Sequence, residues 1–344
     1  MKTLKVDIRK KCGSFRLVSK FETSADRFAL LGASGSGKSM TLKCIAGIEK
    51  PDEGFIAIGD RVLFDSKRHI NVPARKRRVG YLFQNYALFP NMTAFANINM
   101  ICRDPSRTES LLNKFDIHNC RDLRPSKMSG GQCQRLALAR VIASDPEVIL
   151  LDEPFSALDN YMHTIIEREI MDLLSGFDGP SVLVSHDRNE VFRMCDTIGV
   201  MDRGSLIDIQ DKEGFFDHPA TVVAARLTGC KNITRLTEDG FATDWGIKLG
   251  LSPSDLKEGY KYAGYRAHFF EVAGEEQKGR ENVFEVQVER VIEDTFSNAI
   301  CFRQKGNGSE SPDSLLTYIT GKDTDADDVK FLKIDPSRLM LLRR

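Results

Sequence analysis

Along the first half of the chain, short apolar runs alternate with stretches whose apolar residues recur at helical spacing. Phe28-Ala29-Leu30-Leu31 is a continuous apolar run stopped by Gly32, the pattern of a buried strand. After Lys38, Leu42, Ile45 and Ala46 share one helix face, and Gly47 followed by Pro51 predicts where that helix stops. Gly54 to Phe64 reads as two strands around a Gly59-Asp60 turn, an antiparallel hairpin beside a sheet expected to be parallel. From about 86 to 144 β-branched runs are few and the pattern is mainly helical. Val148-Ile149-Leu150-Leu151 and Ser181-Val182-Leu183-Val184 predict two more buried strands, separated by a helical stripe of Ile165, Ile166, Ile170, Leu173 and Leu174. This alternation predicts an α/β fold, a sheet with helices on its faces.

Beyond about residue 230 the texture changes. Gly, Lys and Glu become more frequent, and Val283-Phe284-Glu285-Val286-Gln287-Val288 alternates with a period of two. Two domains are expected, the first over 1–229 with a helical part at about 86–144, the second mostly β over 230–344. A length of 344 residues is ample for two cores.

Composition narrows the possibilities. Lys+Arg and Asp+Glu both number 49, so the net charge is zero, which argues against a nucleic-acid binder working by bulk electrostatics. The run Arg75-Lys76-Arg77-Arg78 is small for an RNA or lipid patch and is expected to be a solvated loop. No signal peptide is visible at the N-terminus, and no apolar stretch approaches the 18 or so residues of a membrane span. The eight cysteines show no CxxC pair and no His at zinc-ligand spacing; Cys44 and Cys301 read as small core residues of a cytosolic protein.

The chemistry-bearing motifs begin with Gly32-Ala33-Ser34-Gly35-Ser36-Gly37-Lys38-Ser39, which fits G-x-x-x-x-G-K-[ST] between a strand and a helix. The glycines let backbone N–H groups converge on phosphates, and the helix N-terminus adds its positive end. Lys38 is expected to neutralise β/γ-phosphate charge, and the Ser39 hydroxyl to ligate Mg²⁺. The apolar strand ending in Asp152-Glu153 sets one carboxylate near that metal and a second, Glu153, to orient or deprotonate water. Together these residues indicate a P-loop NTPase.

Ser129-Gly130-Gly131-Gln132, followed by Gln134-Arg135 and lying just upstream of Asp152, resembles the signature of the ABC ATPase family. Other motifs follow the family order. Gln84 in Leu82-Phe83-Gln84 resembles the Q-loop, Ser156-Ala157-Leu158-Asp159 the D-loop, and His186 the switch histidine. The resemblance implies an ABC cassette with antiparallel β and helical subdomains. It implies catalytic roles for Glu153, His186 and Gln84, and Mg²⁺ held by Ser39, Asp152 and Gln84. ATP would lie against Gly32, Ser34, Gly35, Ser36, Gly37, Lys38, Ser39 and Met40. Met40 stands where many members carry a second hydroxyl, and Met128 where they carry Leu. Phe15 is either the adenine-stacking aromatic or a core residue. A head-to-tail dimer is implied, with Ser129 and Gly131 of one copy facing the ATP of the other; Gly130, Gln132 and Asp159 are implied nucleotide-binding residues as well.

Arg77 to Gln84, then Leu88-Phe89-Pro90 and Asn97-Ile98, resemble importer subunits that dock on a membrane permease. Gly204-Ser205-Leu206, Phe215-Phe216, Pro219 and Gly229-Cys230-Lys231-Asn232 resemble the linker to a C-terminal OB/TOBE-like β-barrel, a regulatory or dimerisation domain. Asp335 to Leu342 is expected to be its last strand. Val62-Leu63-Phe64-Asp65-Ser66 is most similar to molybdate- or tungstate-type importers, with sulfate, iron and polyamine importers close. The implied partners are a second copy, the permease and, through it, a substrate-binding protein, with no nucleic acid. The implied location is the cytoplasmic face of the membrane. A non-transport ABC ATPase and a ligand-reporting sensor stay open as alternatives.

Overall fold

The computed structural model describes residues 2–24, 27–156, 160–251, 256, 260–309 and 311–344. They divide into two compact units, Met1–Lys212 and Glu213–Arg344.

In the first unit, β1 (Leu4–Cys12), β2 (Phe15–Thr23) and β3 (Arg27–Leu31) precede α1 (Lys38–Ala46). Then come β4 (Glu53–Ile58), β5 (Arg61–Asp65), β6 (Ile70–Asn71) and β7 (Val79–Leu82). Helices α2 (Ala94–Cys102), α3 (Pro105–Lys114) and α4 (Gly130–Ala143) follow. The unit ends with β8 (Val148–Asp152), α5 (Asn160–Ser175), β9 (Ser181–Ser185), α6 (Arg188–Met194), β10 (Thr197–Asp202) and β11 (Ser205–Asp211). All eleven strands form one sheet, in the order β6-β5-β4-β1-β2-β11-β10-β3-β9-β8-β7.

The run β10-β3-β9-β8-β7 is parallel, while β4 and β5 form the expected antiparallel hairpin. Every residue of β8 and β9 is buried, as in strands covered on both faces. Leu30, Leu42, Ile45, Leu150, Val182 and Val184 join in one core cluster.

Local chemistry sets the helix ends. Gly47, at φ 77°, ends α1 in the left-handed region and returns its N–H to the carbonyl of Cys44, a conformation that costs glycine little. Asp104 caps α3, with Pro105 at its first position. Cys44 is fully buried, and burial pushes its thiol up to about 12, consistent with an inert packing residue.

The basic run corrects the expectation of a solvated loop. Arg75, Lys76 and Arg78 are exposed, but Arg77 is completely buried. Its guanidinium donates to the carbonyls of Cys44 and Ile45 at 2.8 Å, to that of Val72 at 2.7 Å and to Asn71 Oδ1 at 2.9 Å. Those helix-end carbonyls have no partner within α1, and this need outweighs the cost of burying the charge.

In the second unit, α7 (Lys212–Asp217) and α8 (Val222–Leu227) lead into β12 (Asn232–Arg235), β13 (Phe241–Ala242), β14 (Ile247–Lys248) and β15 (Tyr262–Tyr265). β16 (Glu271–Ala273), β17 (Val283–Glu293), β18 (Ser297–Gln304), β19 (Leu316–Gly321), β20 (Phe331–Lys333) and β21 (Met340–Leu342) complete it. The strands make sheets β12-β15-β21, β13-β14 and β16-β20-β17-β18-β19. Their core holds Trp245, Tyr265, Phe284, Phe302 and Leu332 around Phe270, whose ring meets Tyr265 at 4.9 Å and Phe302 at 5.4 Å, edge to face. Buried Asn232 bonds the carbonyls of Tyr265 and Thr317 and the N–H of Thr317, tying β12 to β15 and β19.

The units part at 212/213, whereas the sequence expectation was 229/230. Ala225 of α8 packs with Cys230, Ile233, Met340 and Leu342, so residues before 230 already belong to the second core. The tail is shorter as a strand than expected. Pro336 begins a 3₁₀ turn over Pro336–Arg338, and only Met340–Leu342 pair as β21, because proline lacks the N–H a ladder needs.

Candidate functional site

Four neighbouring parallel strands deliver the motif residues to one edge of the first sheet. β3 runs into the 32–39 loop, β7 into Phe83-Gln84, β8 ends on Asp152, and β9 leads into His186. Parallel strands present their carboxyl ends together, which is where open α/β sheets bind ligands.

The loop's shape follows from close backbone approach. A Cβ at Gly32 would lie 2.2 Å from the carbonyl oxygen of Met201, so no side chain fits there. Gly37 caps α1 at φ 105°, beside Leu17 and Phe15. Lys38 is buried, and its Nζ donates to the carbonyls of Gly32 at 2.8 Å and Ala33 at 3.0 Å. Burial pushes its ammonium below the ordinary lysine value, against the opposing pull of Glu153 and Asp152. The Ser36 hydroxyl is buried with no hydrogen-bond partner.

Ser39 Oγ donates to Asp152 Oδ1 at 2.7 Å, and Tyr81 donates to Asp152 Oδ2 at 2.8 Å. Next to it, the Glu153 carboxylate is bracketed. Gln84 Nε2 donates to one oxygen at 3.3 Å, and His186 Nδ1 lies 3.6 Å from the other. Glu153 itself has φ 45°, in the left-handed region that side chains usually avoid. Its N–H donates to the carbonyl of Val184, which holds the segment after β8 against β9.

A cavity of about 390 Å³ over the loop is lined by Phe15, Ser34, Gly35, Ser36, Gly37, Lys38, Ser39, Met40, Lys43, Gln84 and Glu153. An orphaned buried hydroxyl, a buried lysine, a cradle without side chains and a Ser–Asp pair are what a nucleotide's phosphates and a hard divalent cation require. Phe15 and Met40 line this cavity and also pack against the core cluster, so the two readings of Phe15 are compatible. Among the described residues no group of three His, Cys, Asp or Glu side chains could hold a metal ion. Ser39 and Asp152 are the residues that could hold a metal here, while Gln84 turns toward Glu153.

The signature residues are elsewhere. Ser129 caps α4 in a reciprocal box: its Oγ accepts from the N–H of Gln132, and Gln132 Oε1 accepts from the N–H of Ser129. Ser129 and Gly130 are exposed, Gly131 is buried and Gln132 half-buried. None of the four lines the loop cavity. Asp159 lies outside the described residues.

A second cavity of about 390 Å³ includes Glu153, Ser156, His163, Ser185, His186 and Glu190 in its lining. Ser185 Oγ donates to Glu190 Oε2 at 2.5 Å and accepts from the N–H of Asp187 at 2.8 Å, and His163 Nε2 is 2.9 Å from Glu190 Oε1. This web fixes both neighbours of His186. An apolar groove of about 230 Å³ lies across Ile48, Val79, Phe83, Tyr86, Ile101 and Arg140.

The motifs did not reveal Tyr81 or Lys43. Lys43 stands one helical turn after Ser39, a spacing that could have marked it. Tyr81 reaches Asp152 only because β7 pairs with β8, with Tyr81 opposite Leu150.

The sequence profile of the ABC transporter family matches residues 21–156. The molybdenum import ATP-binding protein of Paramagnetospirillum magneticum is 38% identical over 209 residues, 59% of this chain and 58% of that protein. The match therefore spans under two thirds of that relative's length. The trehalose/maltose import ATP-binding protein of Thermococcus litoralis is 34% identical over 281 residues, 78% of this chain and 72% of that protein. Among solved structures, a dimeric ATP-binding cassette in a post-hydrolysis state with ADP and Pi superposes with a TM-score of 0.51 at 27% identity, covering 62% of this chain and 99% of its own.

Proposed function

Since the chain belongs to the ABC transporter ATP-binding family, we propose that it binds and hydrolyses ATP to energise import through separate permease subunits. The observation that carries this reading is the cluster around Asp152 and Glu153, with Ser39 and Tyr81 on one carboxylate and Gln84 and His186 on the other. The loop N–H groups and Lys38 hold the phosphates. Ser39 and Asp152, with Gln84 nearby, would hold Mg²⁺, which would supply neutralisation of phosphate charge. Glu153 orients the attacking water and accepts its proton. His186 and Gln84 fix the Glu153 carboxylate and report the state of the γ-phosphate.

A single copy holds only part of the site. The Ser129 hydroxyl and the α4 N-terminus offer donors suited to a γ-phosphate, yet they do not line their own chain's loop cavity. Two copies head to tail would complete two sites, and that the solved cassette is dimeric supports pairing of two copies. The apolar groove beside α2 and α4 suits a permease segment. Among the described residues no helix is long and apolar enough to cross a membrane, which fits peripheral attachment at the cytoplasmic face. The second unit acts as a regulatory or dimerisation domain, and a substrate-binding protein meets the permease from the other side.

For cargo we favour an oxyanion such as molybdate or tungstate, supported by the molybdenum-import relative. The sugar-import relative keeps another solute as the second reading. Vesicles reconstituted with the cognate permease should take up molybdate or tungstate with ATP, and Glu153→Gln should bind ATP yet lower turnover at least ~100-fold. Undiminished turnover in that variant would overturn the assignment of the base, and uptake of a sugar alone would overturn the cargo.

A further inference from the structure

Asp152 is 6% exposed, and each of its two oxygens accepts one side-chain donor, from Ser39 at 2.7 Å and Tyr81 at 2.8 Å. A carboxylate held from both sides cannot rotate without losing a bond. Ser39 lies in the first turn of α1, directly after the 32–37 loop, so it is part of the site rather than of its frame. Tyr81 belongs to the frame. It sits on β7, paired in register with β8, and its ring rests 4.3 Å from that of Phe83.

We propose that Tyr81 is a positioning residue for the metal site: its hydroxyl clamps one oxygen of Asp152 so that the other stays turned toward Ser39 and the phosphates. This rests on the ATP reading above. Partners of metal ligands tune affinity because they fix the ligand's orientation before the metal arrives. With phenylalanine at 81 the ring packing remains, but Asp152 gains a rotational freedom that metal binding must remove, and one oxygen loses its donor in a buried setting.

The test uses the full chain, Mn²⁺ as probe and Tyr81→Phe. Free Mn²⁺, followed by electron paramagnetic resonance at saturating ATP, should half-saturate the variant at about tenfold higher concentration, with ATP binding in EDTA unchanged. Added to Asp152→Asn, the Phe substitution should produce no further weakening. An unchanged Mn²⁺ half-saturation, or the same loss in the Asp152→Asn background, overturns the proposal. So does a loss of ATP binding in EDTA, which would make the hydroxyl a support of the fold. An unsubstituted chain that binds no ATP would instead overturn the nucleotide reading beneath it.

Discussion

Nη1 of Arg77 donates to the carbonyl oxygen of Ile45 at 2.8 Å, closing the far end of the helix that begins at the phosphate loop. The same nitrogen serves Cys44, so one buried side chain joins the Gly47 N–H in satisfying the open end of α1. Arg77→Met keeps much of the volume but strands the Ile45 carbonyl and leaves that of Cys44 to the Gly47 N–H alone. It should destabilise the first unit by about 2 kcal/mol, seen as a lower urea midpoint. Arg77→Lys should rescue little, because an ammonium lacks the planar fork.

Lys38→Met should weaken ATP binding by about two orders of magnitude, as expected for losing charge-assisted bonds worth about 3 kcal/mol. Titration calorimetry would show it. Thermal stability should hold or rise, because the variant no longer buries an ammonium whose charged form burial already disfavours.

In the second unit, Asp244 is buried and accepts from the backbone N–H and guanidinium of Arg235 and from Thr234. Burial pushes its carboxyl up, but the bonds from Arg235 outweigh burial and hold it below the ordinary carboxylate range. Its stabilisation is therefore fully present above about pH 4, the unfolded value, and is lost as pH falls through the lower folded value. Asp244→Asn should flatten the acid limb of a thermal-unfolding profile between about pH 2 and pH 4. A wild-type profile already flat in that window would contradict this.

Because the Ser129 cap and the Lys38 loop would act in different copies, Lys38→Met and Ser129→Arg chains should each be inactive alone. Mixed, they should recover up to about a quarter of normal turnover, since a mixed pair retains one intact composite site and half of all pairs are mixed. Recovery absent at every mixing ratio would argue against the head-to-tail arrangement.

Much of this was legible in the chain itself. Phe28–Leu31, Val148–Leu151 and Ser181–Val184 announced buried strands because an apolar run bounded by Gly or polar residues has few other uses. The 32–39 loop between β3 and α1 was legible because its backbone demands are local. Arg77 was misread because a four-residue basic run says nothing about which member meets a helix end. Tyr81 was invisible because its partner is 71 positions away, joined only by strand pairing. The unit boundary shifted because α8 finds its packing partners near the end of the chain, in Met340 and Leu342.

The left-handed backbone at Glu153 leaves this position under two opposed selections. For folding alone, Gly would be the better residue, relieving a conformational cost of about 1 kcal/mol or more, whereas turnover by the proposed mechanism requires the carboxylate. Any lineage that kept this chain for its shape or for ATP binding, and no longer for hydrolysis, would be released here first. Gly, or Asn as the side chain best tolerated at such a backbone, would mark the descendants that have stopped being enzymes.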